Sequence, residues 1–159
     1  MAIVYDYEIV TALSPVSVAR IFAEAAQETG LFHAFCTPEQ LLEGEATVHG
    51  TWVRVGEYER GGPDPMLAEV LVDATVWIIF RFHNLRDRIQ QASDMIRQVS
   101  ILLDRIEGDA ALHRDSEDLL LVRRLGQLIV SDDDALWPGY RLDILSQSYR
   151  RAPLVFPEE

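Results

Sequence analysis

Residues 75–83 carry apolar side chains at both of the positions that alternate along a β-strand. One set consists of Val76, Ile78, Phe80 and Phe82, and the other contains Trp77 and Ile79. Successive side chains of a strand point to opposite faces, so both faces of this segment would be apolar. Such a strand needs cover on both faces and is typical of the interior of a sheet. We therefore predict a central strand here, with residues 67–73 as the alternative position.

Residues 84–108 predict a long amphipathic helix of about 22 residues. Asn84 is a suitable N-cap, Asp87 would lie in the first turn, and the helix would end near Gly108. The apolar positions recur at helical spacing and are Leu85, Ile89, Ala92, Ile96, Val99, Leu102 or Leu103, and Ile106. A stripe of this width is stable only when it packs against another element of the fold.

The first thirty residues predict a strand followed by a helix. Residues 3–9 alternate in the strand pattern, and Ser14 and Pro15 are the N-cap and first residue of a helix. This helix would run to about Thr29 and end at Gly30. Residues 41–58 are rich in strand-forming side chains and favour a hairpin with its turn at His49 and Gly50.

Residues 119–130 predict a second hairpin, whose three-residue turn at residues 124–126 would place Gly126 in the left-handed conformation. A short helix is expected at residues 140–145, followed by an extended tail from about residue 146. The element order is β-α-β-β-β-α-β-β. It predicts one α+β domain, residues 1–159, with two helices packed on one face of a mostly antiparallel sheet of about six to eight strands.

The chain is acidic, with 26 acidic residues against 14 basic ones and a net charge of −12. Such a charge repels phosphate backbones and anionic lipid surfaces, so we expect neither a nucleic acid nor a membrane as partner. We find no signal peptide in the opening residues and no apolar run long enough to span a bilayer. With a single cysteine, Cys36, no internal disulfide is possible, and we expect a cytoplasmic protein.

All 14 basic residues are arginine, and the chain contains no lysine. Several enzyme classes depend on a lysine side chain. These include Schiff-base catalysis, lysine-linked pyridoxal phosphate, P-loop nucleotide hydrolysis and the protein kinases. The sequence excludes all of them.

The remaining reactive side chains do not form a recognisable catalytic or metal-binding motif. His33 and Cys36 have the spacing of two zinc ligands, but no second close pair is present. Cys36 is better interpreted as a core thiol than as a nucleophile paired with His33 or His113. Glu43 with Glu45, or Glu57 with Glu59, could share a strand face, as ordinary surface residues also do. We predict no catalytic, metal or cofactor site.

Asp132, Asp133 and Asp134 form the most conspicuous charged run, but an EF-hand would need a glycine and a glutamate where Trp137 and Asp143 stand. Trp137 follows this run closely. A tryptophan beside carboxylates is a suitable surface for arginine or lysine side chains of a partner. These four residues are our candidates for partner binding. The alternative is that Trp137 packs inward and anchors the C-terminal segment.

The C-terminal half resembles the small immunity proteins of the myxobacterial Sit toxin system. The matching pieces are Gly108-Asp109-Ala110-Ala111-Leu112, Leu119 to Arg124, Gly126-Gln127-Leu128, Asp132-Asp133-Asp134, Trp137 and Tyr149, and residues 3–8 with the helix that follows are similar too. The chain departs from this pattern at Leu125, where a polar turn residue is expected. The resemblance implies a cytoplasmic protein that binds a cognate toxin domain and has no catalytic activity of its own.

Three functions follow from these observations. The first is an immunity-like binding protein whose acidic surface covers a basic toxin domain. The second is a small-molecule-binding module whose sheet and long helix enclose a pocket lined by tryptophan and tyrosine, with Trp52, Trp77 and Trp137 as candidate lining residues. The third is a hydrolase that uses scattered carboxylates or Cys36, which needs two reactive groups within hydrogen-bonding reach.

Overall fold

The computed structural model describes residues 3–58 and 74–156, which contain an eight-stranded sheet. Its strands are β1 Val4–Ile9, β2 Glu45–Ala46, β3 Trp52–Glu57, β4 Val76–Arg81, β5 Ala110–Arg114, β6 Asp118–Arg124, β7 Gln127–Ser131 and β8 Arg150–Ala152. They lie in the order β2-β3-β4-β1-β5-β6-β7-β8, and only β7 and β8 are parallel. The predicted α+β fold with a mostly antiparallel sheet is confirmed. The alternative strand at residues 67–73 lies outside the described residues.

The helices of the described residues are α1 Pro15–Thr29, α2 Pro38–Glu43, α3 Arg88–Arg105 and α4 Gly139–Leu142. α1 and α3 contact each other and share one core with the inward-facing side chains of the sheet. Phe22 of α1 lies 6.0 Å from Phe80 of β4, measured between ring centroids. The Gln98 amide of α3 donates a hydrogen bond to the Phe22 carbonyl at 2.7 Å. The two principal helices therefore cover the same face of the sheet.

β1 lies near the middle of the sheet, between β4 and β5. Tyr7 stands opposite Ile78 of β4 on one side and opposite Leu112 of β5 on the other. β4 is also paired on both edges, with β1 and β3, as its two apolar faces predicted. The sheet interior thus joins the first residues of the chain to segments from both halves.

Local sequence signals explain where the first two helices begin. The Ser14 hydroxyl accepts a hydrogen bond from the Ser17 amide, Pro15 starts α1, and Gly30 ends it with a φ of 68°. These features agree with the prediction. The predicted start of a hairpin at residue 41 is wrong, because residues 38–43 form α2. Thr37 and Gln40 exchange the two hydrogen bonds of a capping box, which competes with strand formation at this point.

α3 is shorter than predicted, with 18 residues. Its N-cap is Asp87 and not Asn84, because the Asp87 carboxylate accepts hydrogen bonds from the Ile89 and Gln90 amides at 2.9 and 3.1 Å. Leu85 therefore lies outside the helix and is 90% exposed, and Ile89 is 59% exposed. The apolar stripe begins at Ala92.

The β6–β7 hairpin has a two-residue turn and not the predicted three-residue turn. Arg124 pairs with Gln127, and Leu125 and Gly126 have φ values of 51° and 79°. Two successive positive φ values are typical of a type I′ turn, whose twist matches that of the strands. The left-handed conformation of Gly126 is confirmed, while Leu125, where we expected a polar turn residue, has a positive φ and is 94% exposed.

The C-terminal half also contains an unpredicted strand. β5 pairs with both β1 and β6 and precedes a turn in which Asp115 and Ser116 have positive φ values. The short helix predicted at residues 140–145 is observed as α4, one residue earlier and two residues shorter. β8 lies within the segment predicted as an extended tail. In the part of the chain that the structure describes, no helix has the length and apolarity to cross a membrane.

Arg123 of β6 forms hydrogen bonds with backbone carbonyl groups at the C-terminal end of α3. Its guanidinium donates to the carbonyl oxygens of Leu103, Ile106 and Gly108 at 2.5, 2.6 and 2.8 Å. The last carbonyls of a helix lack partners within the helix, and a cation is favourable near them. Arg123 therefore joins the end of α3 to the sheet.

Replacing Arg123 by alanine should lower the free energy of unfolding by about 2 kcal/mol, because three carbonyl groups lose a charged donor. The measurement is urea denaturation followed by circular dichroism. Arg20→Ala is the matched control, since Arg20 is exposed on α1 and makes no hydrogen bond or ion pair with the described residues. A loss of stability in Arg123→Ala no larger than in this control would contradict the role of Arg123.

Candidate functional site

The acidic run Asp132–Asp134 forms an exposed turn directly after β7. Its backbone is held by hydrogen bonds from the Asp132 amide to the Ala152 carbonyl and from the Asp133 amide to the Ser131 hydroxyl. The Asp133 carboxylate accepts from the Ala135 amide at 2.9 Å, and that of Asp134, 91% exposed, lies 3.5 Å from Arg151. The three carboxylates are thus presented to solvent from a fixed turn.

Trp137 does not belong to that exposed surface. Its side chain is 1% exposed, and its indole Nε1 donates to the Leu120 carbonyl at 2.9 Å. A buried tryptophan usually finds such a partner for its single donor. The indole is out of reach of a partner, so the candidate surface must be corrected to Asp132, Asp133 and Asp134. The alternative prediction, in which Trp137 packs inward, matches this placement.

Cys36 is a buried thiol whose Sγ lies 3.7 Å from the Thr37 carbonyl oxygen. Burial, with a smaller contribution from Glu45, raises the pKa of this thiol to about 11. The thiolate is the nucleophilic form of cysteine, and it is scarce near neutral pH when the pKa is this high. His113 contacts Asp6 and Glu8, whereas His33 is exposed on the loop before Cys36. The arrangement does not activate Cys36.

Of the two carboxylate pairs considered for acid–base chemistry, Glu43 and Glu45 do not share a strand face. Glu43 ends α2, and Glu45 begins β2 after Gly44, so the prediction that they share a strand is wrong. Glu57 ends β3, and Glu59 lies outside the described residues. Within residues 3–58 and 74–156, no group of three or more histidine, cysteine, aspartate or glutamate side chains could hold a metal ion.

A buried ionisable cluster lies on the face of the sheet opposite α1 and α3. The Tyr58 hydroxyl is 2.5 Å from one oxygen of Glu8, and His113 Nε2 is 3.4 Å from the other. Asp6 Oδ2 is 3.9 Å from His113 Nδ1, and the Phe156 ring meets the imidazole edge-on at 5.6 Å between centroids. Glu8 and His113 are 3% and 4% exposed. The C-terminal segment thus covers a cluster that the sequence did not reveal.

Burial raises the pKa of the Asp6 carboxyl to about 6, and Glu8 and Asp115 add to this effect while His113 opposes it. A carboxyl group in this position resists ionisation because its charged form has lost solvent and faces two other carboxylates. The cluster brings acid and base groups together. Its burial beneath the C-terminal segment limits access for a substrate.

A second unpredicted pair joins the β2–β3 turn to α3. His49 Nδ1 is 2.7 Å from Asp94 Oδ2, and Gln90 donates to the other Asp94 oxygen at 2.9 Å. The pair lines a cleft of about 130 Å³. The hydroxyl that Thr29 supplies to this cleft already donates to the Ala26 carbonyl. The pair therefore fastens a turn to a helix without an activated nucleophile beside it.

The other two tryptophans lie on the sheet face opposite the helices, on β3 and β4. We call the surface formed by Trp52, Arg54, Trp77, Ile79 and Arg81 the tryptophan–arginine face. The Arg81 guanidinium lies 4.9 Å from the Trp52 ring centroid, and that of Arg54 lies 5.7 Å from the Trp77 ring centroid. Both arginines are exposed and both indoles are half-buried. The strand register explains this arrangement, since Trp52 stands opposite Arg81.

The clefts of the described residues offer little support for a small-molecule pocket. Two clefts of about 180 Å³ flank the loop that carries Phe35, and an open groove of about 390 Å³ lies beside β7 and β8. None of these three is lined by a tryptophan, and of the three only the open groove contains a tyrosine, Tyr149. Between the sheet and α3 the space is filled by fully buried side chains such as Ile96, Val99 and Leu102. The enclosed pocket that this alternative requires is not formed there.

The sequence of this chain matches one known protein family over most of its length. Residues 3–141 match the family described as SitI3-like, which is most of the chain. The chain belongs to the SitI3-like family. Neither the curated proteins nor the solved structures contain a significant match to it. The family indicates an immunity protein, in agreement with the resemblance seen in the sequence.

The SitI3-like match includes β1 to β7 and α1 to α3, and it ends within α4. It therefore contains the acidic run Asp132–Asp134 and the whole tryptophan–arginine face. β8 and the C-terminal segment that covers His113 lie beyond it. The departure at Leu125 affects an exposed turn and leaves the β6–β7 pairing of the family region in place.

Because the pKa of the Asp6 carboxyl is raised, the free energy of unfolding of this SitI3-like protein should depend on pH. Its pKa is about 6 in the folded chain against 3.8 as the reference value, so folding favours the protonated form. The stability contributed by protonation is complete below about pH 3.8 and is lost as the pH rises through about 6. Asp6→Asn cannot ionise and removes this dependence.

We therefore expect the free energy of unfolding of the wild type, relative to Asp6→Asn, to fall by as much as about 2 kcal/mol between about pH 4 and pH 7. Urea denaturation of both proteins across this range measures the difference. A difference that stays constant or increases with pH would show that Asp6 is not held in the neutral form.

Proposed function

We propose that this SitI3-like chain is a cytoplasmic, non-enzymatic immunity protein that neutralises a cognate bacterial toxin domain by binding it. The observation that supports this most is the family match over residues 3–141. The state of Cys36, the covered position of His113 and the absence of lysine are in keeping with recognition as the task of the chain. The proposal requires no cofactor and no nucleic acid.

The charge of the chain supports a toxin domain that is basic. A net charge of −12 attracts a positively charged partner and increases its rate of association. Asp132, Asp133 and Asp134 are three successive exposed carboxylates at one turn whose backbone is held by hydrogen bonds. We propose this turn as a contact for the basic surface of the toxin. Trp137 is not part of it, because its indole is buried.

Coexpression tests the function directly. A bacterial host that produces the toxin domain encoded beside this chain should survive when the chain is produced as well, and the two proteins should copurify. Toxicity that is unchanged by the chain would refute the proposed function.

Substitution of the acidic turn tests the contact. The triple variant Asp132→Asn, Asp133→Asn, Asp134→Asn should associate with the toxin domain about 3- to 10-fold more slowly at low salt, and the difference should shrink at high salt. Asparagine keeps a side-chain oxygen that can accept the Ala135 hydrogen bond. Stopped-flow fluorescence measures the association rate.

The matched control changes the same total charge at exposed glutamates elsewhere, with Glu24→Gln, Glu107→Gln and Glu117→Gln. If the acidic turn is a contact, its variant should slow association more than this control does. Equal effects would show that net charge alone is responsible and that the turn has no special role.

A further inference from the structure

The tryptophan–arginine face combines two residue types that dominate the binding energy of protein interfaces. Tryptophan and arginine are enriched among the residues whose truncation costs the most affinity. Trp77 of β4 stands opposite Gly56 of β3, and Gly56 is four residues after Trp52 on that strand. The two tryptophans are therefore separated by about 13 Å along the strand direction. Ile79 lies between them and is half-buried. The face is therefore a continuous patch in which Ile79 and the opposing Arg54 lie between the two indoles.

Each indole on this face packs against the backbone of a glycine. A Cβ atom at Gly44 would lie 2.1 Å from Trp52 Cζ2, and one at Gly56 would lie 2.1 Å from Trp77 Cζ2. The rings thus rest against backbone where a larger residue would displace them. An arginine lies beside each ring within cation–π distance. Both aromatic side chains are ordered before a partner arrives, so less conformational entropy is lost on binding.

Among the described residues, the two guanidinium groups retain hydrogen-bond donors without a partner. Arg54 donates from Nε to the Leu42 carbonyl at 3.2 Å, which leaves its terminal nitrogens unengaged in the described part of the chain. Arg81 makes no hydrogen bond there, and neither arginine forms a salt bridge with a carboxylate of residues 3–58 or 74–156. Each guanidinium carries five donors in a planar fork that matches a carboxylate. The face is therefore complementary to carboxylates from another molecule.

From this complementarity we infer that the tryptophan–arginine face binds a carboxylate-bearing segment of the toxin domain, with Arg54 and Arg81 as the carboxylate ligands and Trp52 and Trp77 as the apolar anchors. This inference rests on the proposed immunity function. A toxin domain that is basic overall still carries acidic residues. Its net charge governs the approach to this acidic chain, while its local carboxylates determine the contact with this face.

The double variant Arg54→Gln, Arg81→Gln separates the local contact from the net charge. Removal of two positive charges makes the chain more acidic, so long-range attraction to a basic toxin domain would increase. Loss of two carboxylate ligands has the opposite effect. We expect the dissociation constant for the toxin domain to rise by at least about 30-fold, as isothermal titration calorimetry can measure.

Two further variants act as controls. Arg20→Gln with Arg150→Gln makes the same change of charge at exposed arginines outside the face, and it should leave the dissociation constant within about threefold or lower it. Arg54→Lys with Arg81→Lys keeps the charge but loses the planar fork, and it should recover only part of the lost affinity. Circular dichroism and thermal unfolding show whether each variant keeps the fold.

The outcomes distinguish this inference from the function on which it rests. If the wild type protects against the toxin and binds it, while Arg54→Gln, Arg81→Gln binds equally well or more tightly, the inference is wrong and the function stands. If the wild type does not bind the toxin domain, both are wrong. If the wild type self-associates in analytical ultracentrifugation and the double variant does not, with toxin binding unchanged, the face joins two copies of this chain and the inference is likewise overturned.

Discussion

The contact between α3 and the inner face of the sheet is the interaction on which the rest of the structure depends. The apolar stripe that begins at Ala92 packs on the same core as Tyr7 and Ile78, and its buried side chains have almost no exposed surface. Hydrophobic burial of this kind is the largest favourable contribution to folding. Arg123 then fixes where the helix ends, and His49 joins its first half to the β2–β3 turn through Asp94. The position of α3 thereby determines which sheet face remains available for a partner.

Strong periodic patterns predicted the elements that bury the most apolar surface. The alternation around Ile78 predicted the interior strand β4, and Ser14 with Gly30 marked both ends of α1. β5 was missed because alanine is depleted in strands, and its place is determined by pairing with β1 about a hundred residues earlier. α2 is only six residues long, although the capping box at Thr37 and Gln40 was visible in the sequence. Short elements depend on tertiary contacts more than on their own propensity.

The candidate surfaces differ in how much of them a sequence can reveal. The exposure of Asp132–Asp134 could be anticipated from the charged run itself, whereas the inward position of Trp137 follows from a hydrogen bond to Leu120 on another strand. The pairing of Trp52 with Arg81 depends on the register of β3 and β4, which residue spacing does not specify. The Glu8 and His113 cluster similarly requires β1 and β5 to be neighbours. Contacts across strands therefore account for most of what sequence inspection could not find.

The position of β1 between β4 and β5 has a consequence for how the protein is made. Glu8 stands opposite Ala111, so the sheet interior cannot be completed until the chain has been synthesised past β5. At about 5–20 residues per second, the ribosome needs roughly 5–20 s to cover that interval. During this time the edge of β1 that pairs with β5 has no partner for its backbone N–H and C=O groups. Until β5 is made, this unpaired edge of the nascent chain is a site where another strand or a chaperone could bind.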